Sequence, residues 1–337
     1  MSRVVDVHAH VIVPEVEAVV AGQPGLDQHR ALDVRRNGTE SMAVSGRMVG
    51  ERIPRLTQLG PRLADMDAAG VDVQVLSASP SQYHYWAAPE LAMAVARAAN
   101  RGVAAVVAEE PARFTGLGLL PLQHPHLCVA ALDDALDLGL RGAEISSFAP
   151  GVELSDPALD PLWARAAETS ALLFLHPFGC SLDERLDRFY LSNTVGQPVE
   201  NAVALSHLIF GGVLDRHPGL RVLAAHGGGY LPTFLGRSDH AWQVRPEARG
   251  CAHPPSSYLR RLWFDSLVHT PEALRALIAA AGADRVLLGS DHPFDMGVPD
   301  PVARLAAAGL ADDDQQMIRS GNAETLGLVP LMAKEAS

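Results

Sequence analysis

The sequence predicts an α/β protein folded as a (β/α)8 barrel of the TIM type, with a small insertion after the first strand. Three observations carry that expectation. Eight short apolar runs alternate with segments of helical length and pattern. Most of those runs are continuously apolar, as in a parallel sheet covered on both faces. The chain has 337 residues, an ordinary length for one such barrel, so a single domain spanning 1–337 is expected. An open doubly wound sheet is the alternative. No G-x-G-x-x-G follows a strand and no G-x-x-x-x-G-K-[ST] occurs, so nucleotide phosphates have no obvious cradle.

The first strand is read from the β-branched run of Val4, Val5 and Val7, which stops at His8, Ala9 and His10. Residues 11–60 show little regular pattern and are punctuated by Gly22, Pro24, Gly25, Asn37, Gly38, Gly46 and Gly50. A long irregular excursion of this kind reads as a flap over an active site. Residues 41–45 are strand-like enough to suggest a small meander within it. From residue 61 the rhythm is steady. Residues 62–70 read as a helix closed by Gly70, and 71–77 as the second strand. A helix over 89–108 begins with Pro89 and Glu90; a strand follows at 114–120. Helix 127–138 precedes strand 141–147, and helix 156–169 has Asp156 as its cap and Pro157 in its first turn. The fifth strand, 171–176, leads to a helix over 199–213 that ends near Gly211 and Gly212. The sixth, 220–226, runs into Gly227, Gly228 and Gly229, and helix 231–242 follows. Strand 262–266, helix 271–281, strand 285–291 and two short helices complete the pattern.

Composition narrows the function. Apolar residues make up 48% of the chain, enough for a sizeable core, and no run of about 18 apolar residues suggests a membrane span. A formal charge of -12 argues against nucleic acid or an anionic membrane as partner. Cys128, Cys180 and Cys251 are far apart and form no C-x-x-C pattern. With no charged leader and apolar core at the N-terminus, no signal peptide is expected, and the protein reads as reduced and cytoplasmic. The only lysine is Lys334, which excludes most chemistry needing a core lysine.

Functional residues of a barrel gather at the C-terminal ends of its strands. Here the first strand ends in His8 and His10, the fifth in His176, the sixth in His226, and the eighth in Asp291. Residues two apart on a strand face the same side, so His8 and His10 can aim at one point. His8, His10, His176 and Asp291 together supply three imidazoles and a carboxylate, a donor set for a zinc-like ion with an open position for water. The metal would lower the pKa of its water toward about 7. His226 then remains as the acid/base, with Asp291 shared between metal and water.

The pattern D-x-H-x-H, L-H-P, H-G-G-G and G-S-D-x-P-F resembles the amidohydrolase superfamily. More narrowly it resembles the non-hydrolytic decarboxylases typified by 2-amino-3-carboxymuconate-6-semialdehyde decarboxylase. The resemblance spans nearly the whole chain, most closely at residues 62–75, 205–213, 225–237 and 288–294. It implies one zinc per chain, with manganese accepted by the same donors, and a homodimer. It also implies that Arg237 reaches a substrate carboxylate across the dimer interface, and that an arginine of the excursion, Arg52 or Arg47, binds substrate too. Arg245 matches a further family arginine. Two-metal relatives use a carboxylated lysine at the end of the fourth strand; this chain has Glu144 there, which favours a single ion. Histidine at position 8, where resorcylate-type relatives often have glutamate, leans toward the semialdehyde side. His292 stands where tyrosine or threonine is frequent, at the pocket or its rim. Residues 79–86, with Tyr83, His84, Tyr85 and Trp86, are expected to line the pocket.

The expected function is therefore a metal-dependent, non-oxidative decarboxylase acting on a small unsaturated or aromatic carboxylic acid. Hydrolysis or hydration of a lactone or dienoate on the same site is the rival, because fold does not fix reaction. A non-catalytic barrel that keeps the histidines is the third reading.

Overall fold

In the computed structural model, which describes residues 3–330, the first strand β1 (Val5–Val11) pairs in parallel with β2 (Val73–Ala78), and β2 with β3 (Phe114–Gly116). A second parallel sheet runs in sequence order through β4 (Gly118–Leu119), β5 (Gly142–Ser146), β6 (Leu172–His176), β7 (Arg221–Ala224), β8 (Trp263–Asp265) and β9 (Val286–Leu287). Backbone hydrogen bonds join the first and last strands: Val7 N to Leu288 O, Asp291 N to His8 O and His10 N to His292 O, each 2.8 Å. The expected (β/α)8 barrel is thereby formed. Its interior is filled by Val5, Val7, Val73, Val75, Phe174 and Leu223, all at most 1% exposed. Burying a side chain of that size contributes about 1.5–3 kcal/mol.

The third strand of the barrel is interrupted at Leu117, and the cause is a close-lying helix. Asn100, on α5 (Pro89–Glu109, following α1 to α4 described below), accepts a hydrogen bond from Leu119 N at 2.6 Å. A Cβ on Gly118 would come within 2.7 Å of Asn100 Oδ1, and one on Gly116 within 2.7 Å of Val103. Glycine lets the helix backbone approach, and the cost is a broken ladder. By length and composition α5 could cross a membrane. Its Ala92, Val95, Ala96, Ala99 and Val103 are buried in the packed core.

The excursion differs from its expected form. Residues 11–60 are mostly helical: α1 (Pro14–Val20), α2 (Leu26–Asn37) and α3 (Thr39–Thr57), with α4 (Leu59–Ala69) following. The meander over 41–45 does not form; those residues lie within α3. Gly22, Gly25 and Gly38 act as joints here, at φ 71°, 103° and 81°. Gly46 and Gly50 sit inside α3 with open space around them, where glycine weakens a helix without ending it. Arg35 and Arg36 of α2 pair with Asp183 at 3.2 and 3.3 Å, tying the insertion to the segment after β6.

The remaining helices are α6 (Pro125–Asp137), α7 (Asp160–Thr169), α8 (Gln197–Phe210), α9 (Val213–Arg216), α10 (Leu231–Val244), α11 (Pro271–Ala281), α12 (Pro301–Ala307), α13 (Asp312–Gln316) and α14 (Asn322–Thr325). As expected, two short helices follow the last strand among the described residues: α12, and a continuous one in which α13 runs through a π segment (Met317–Gly321) into α14. The expected cap at Asp156 forms, accepting from Ala158 N at 2.9 Å, but a 3-10 turn separates it from α7. The single lysine, Lys334, lies outside the described residues.

Candidate metal centre and active site

At the C-terminal ends of the strands, His8, His10, His176 and Asp291 each offer one donor atom, and those atoms lie within 4.8 Å of one another. All four residues are buried. The ring orientations are set from behind. His8 Nδ1 lies 2.6 Å from Asp265 Oδ2, so it carries the proton and Nε2 presents a lone pair. His10 Nδ1 faces Ser77 Oγ at 3.3 Å and Glu144 Oε2 at 3.7 Å, which likewise frees Nε2.

The two Nε2 atoms are only 3.1 Å apart, and each lies 3.3–3.4 Å from Asp291 Oδ1. Neither ring nitrogen of His176 and not Oδ1 of Asp291 has a hydrogen-bond partner. Buried lone pairs left facing one another are costly. A divalent cation among them removes the cost. Nitrogen and oxygen donors about 2.0–2.1 Å from a tetrahedral ion stand about 3.3 Å apart, matching these separations. The residues present therefore fit a metal ion.

The electrostatics agree. Burial pushes the Asp291 carboxyl up, but the imidazoles of His8, His10 and His226 gathered around it outweigh that and hold it well below the usual carboxylate range. Burial, reinforced by His10, His8 and His226, pushes His176 well below the ordinary imidazole value, leaving it neutral as a ligand must be. Burial raises Glu144, against the pull of His10 and its own hydrogen bonds; the carboxylate accepts the Tyr83 hydroxyl.

His226 follows β7 at φ 53°, and its Nε2 lies 3.9 Å from Asp291 Oδ2. Gly227 N donates to Asp265 Oδ1 at 2.8 Å, so one carboxylate holds both the His8 ring and the turn that carries His226. A second buried network fixes the strand ends. Asp6 accepts from His8 N, Ser290 N and Gln74 Nε2 at 3.0–3.1 Å, and Arg62 donates to Gln74 Oε1 at 2.9 Å and to the His10 carbonyl. Burial lowers the Arg62 guanidinium to about 10, still charged at neutral pH.

Two cavities flank the cluster. One, of about 370 Å3, reaches His176 and Asp291 and is walled by the insertion through Asn37, Met42, Met48 and Val49. The other, of about 400 Å3, reaches His226. Asn193, Gln197 and Met296 border both. Among the described residues, no arginine or lysine lines either one. Arg47 and Arg237 are exposed, and Arg52 donates to the Pro293 carbonyl beside Asp291. Arg245 pairs with Glu247.

Of residues 79–86, Ser79, Pro80 and Ser81 line the first cavity. The aromatics do other work: Tyr83 meets Glu144, the Tyr85 hydroxyl accepts from Ser146 N at 3.3 Å, and Trp86 donates to His84 at 3.3 Å. His292 turns away from both cavities and bridges Arg62 at 3.2 Å and Asp65 at 3.1 Å. Sequence reasoning missed Asp265. It ends the apolar run of the seventh strand, a position the strand-end rule itself marks.

The amidohydrolase family profile matches residues 5–326. A 2-amino-3-carboxymuconate-6-semialdehyde decarboxylase of Dictyostelium discoideum is 34% identical over 335 residues, covering 98% of this chain and 93% of its own. A gamma-resorcylate decarboxylase of Rhodococcus jostii is 28% identical, covering 90% and 98%. Among solved structures, the 5-carboxyvanillate decarboxylase of Sphingomonas paucimobilis superposes with a TM-score of 0.81 at 26% identity, covering 97% of this chain and 99% of its own.

Proposed function

The chain belongs to the amidohydrolase family, and on that footing we propose that it is a metal-dependent, non-oxidative decarboxylase releasing CO2 from a small unsaturated or aromatic carboxylic acid. One observation carries the reading: the donor atoms of His8, His10, His176 and Asp291 converge, those of His176 and Asp291 Oδ1 with no hydrogen bond to satisfy them, beside a cavity of about 370 Å3. A divalent ion bound there supplies Lewis-acid stabilisation of charge that develops on the substrate. The donor set suits zinc, and manganese is the alternative. Glu144 lies on the Nδ1 side of His10 and is engaged by Tyr83, away from the converging atoms, which supports one ion per chain.

His226 holds the proton that replaces the carboxyl group. The substrate loses CO2, the bonding pair stays on carbon, and that carbon takes a proton from His226 Nε2. Asp291 Oδ2, 3.9 Å from Nε2, is placed to orient the ring. Met42, Met48, Phe178, Phe294 and Met296 give the cavity an apolar wall for an unsaturated or aromatic body. With no arginine or lysine lining the cavity among the described residues, a second substrate carboxylate needs a partner from elsewhere. Arg237 is exposed on α10, the helix whose Pro232 and Thr233 border the second cavity, and we assign it to the site of a partner copy in a homodimer. Arg52 acts through the Pro293 carbonyl to hold the Asp291 turn.

The test is CO2 release by the metal-loaded protein from aminocarboxymuconate semialdehyde, ortho-hydroxybenzoates and related dienoic diacids. Release that is lost in Asp291→Ala supports the reading. Ring opening or hydration without loss of carbon refutes it.

A further inference from the structure

At the opposite end of the barrel from the metal ligands lies a cavity of about 340 Å3 lined by Arg221, Arg260, Arg261, Arg285 and Trp263. Its position is set by the strand starts: Arg221 opens β7, Trp263 opens β8, Arg285 directly precedes β9, and Ser170 lies just before β6. Catalysis in this fold uses the other end, so the cluster is not part of the decarboxylation site.

The four guanidinium groups are poorly neutralised. Among the described residues the only carboxylate within ion-pair reach of any of them is Asp284, at 3.7 Å from Arg260 and 3.5 Å from Arg285. The other contacts are to carbonyls: Arg221 donates to Ser170 O at 3.3 Å, and Arg261 to Leu214 O at 2.9 Å and Pro218 O at 3.2 Å. Carbonyls satisfy N–H groups but leave the charge. Arg285 stacks on the Trp263 ring at 4.8 Å, which fixes the plane of its fork. Its Nε meets only Asp284 Oδ2, at 3.5 Å and without hydrogen-bond geometry, and the Trp263 Nε1 is buried without a hydrogen-bond partner. In a chain of formal charge -12, cations crowded about one cavity with donors to spare are held at an electrostatic cost unless an anion joins them.

We infer that this cavity at the N-terminal end of the barrel is a binding site for a phosphate-type oxyanion, free or as the phosphate ester of a small metabolite. Such a group brings about 1.5–2 negative charges and three acceptor oxygens, which planar arginine forks engage in pairs. The volume leaves room for an ester substituent.

The experiment is isothermal titration of the full-length, zinc-loaded protein, with inorganic phosphate and with ribose 5-phosphate as probes, at low ionic strength. The same titrations are run on Arg260→Gln/Arg285→Gln and on Asp291→Ala. Saturable binding near about 1 mM or tighter is expected, weakened at least about tenfold in the double arginine variant and unchanged in Asp291→Ala. Raising salt toward about 0.15 M shortens the reach of the charges and is expected to weaken binding further. If the double variant melts early, Arg260→Gln alone serves, because that side chain is 65% exposed. Tighter binding of ribose 5-phosphate than of phosphate identifies an ester as the occupant; equal or weaker binding identifies free phosphate. No saturable binding of either probe below about 10 mM overturns the inference. So does binding that survives the arginine substitutions but disappears in Asp291→Ala, which places the anion on the active-site metal.

Discussion

Replacing Asp265 by asparagine isolates the orientation of one metal ligand from the fold around it. Asp265 is fully buried and has three partners: His8 Nδ1 at 2.6 Å, Gly227 N at 2.8 Å and Leu267 N at 3.2 Å. The two backbone bonds fall on Oδ1 and can be kept by the amide oxygen of asparagine. The amide nitrogen must then face His8 Nδ1. It donates where the carboxylate accepted, so His8 is driven to carry its proton on Nε2, the atom that faces the other ligands. Flipping the amide instead sacrifices the hold on Gly227 and the turn of His226. Loss of such a partner behind a metal-binding histidine costs about 10–100-fold in affinity, or about 1.4–2.7 kcal/mol. That agrees with the about 1.5–3 kcal/mol of a hydrogen bond to a charged group. Zinc affinity is measured by competition with a chromophoric chelator, and far-UV circular dichroism checks the fold. A folded Asp265→Asn protein that binds zinc within about twofold of the parent refutes the assignment of Asp265 as the group that sets the His8 tautomer.

His226→Ala is expected to keep its metal and lose at least about a hundredfold in kcat, read by CO2 release; normal turnover removes His226 from the reaction. Burial holds His84 at about 4, below the ordinary imidazole value of 6.5. Because the fold favours the neutral ring, its contribution is complete above about pH 6.5 and is lost as pH falls toward 4, with a ceiling of about 3 kcal/mol. Asparagine tolerates the φ of 45° at this position, so His84→Asn is expected to flatten the rise of the urea midpoint between pH 5 and 7; an unchanged slope assigns that rise to other groups. Gly38→Ala puts a Cβ within 1.7 Å of the Asp187 carbonyl at φ 81° and is expected to cost more than about 1 kcal/mol in chemical denaturation. Because Gly38 joins the two helices that wall the cavity, KM should rise as well.

The barrel is legible in the sequence because its strands are short, apolar and parallel, and because helix starts such as Pro89 and Asp156 carry local chemistry. The insertion is not. In α2 the polar and apolar residues make a weak stripe, and periodicity does not announce such a helix. α3 is amphipathic, but Gly46, Gly50 and Pro54 within it read as breakers, and both helices face a cavity and solvent more than a core, with Leu26 and Leu56 their only buried residues. Glycines then dominate the reading although two of them, Gly46 and Gly50, sit inside α3 without ending it.

The site divides along the same physical line. His8, His10, His176, His226 and Asp291 are visible because a strand end confines each to a few ångströms, whatever the loops do. Asp265 also ends a strand, but for it, as for Glu144 and Asp6, the sequence names no partner: an isolated carboxylate in an apolar strand is as compatible with a surface edge as with a buried support. What distinguishes them is the partner each finds across the barrel. Asp265 on β8 meets His8 on β1, and Glu144 on β5 meets His10 and Tyr83. Those pairs are 257, 134 and 61 residues apart in the chain, by the numbers of their members. Local pattern carries no information at that range; closure of the barrel creates it. The arginines are the reverse case. Their sequence match points to substrate, yet within one chain none lines the cavity, so a role for Arg237 depends on a second copy, which chain-local reasoning does not reach.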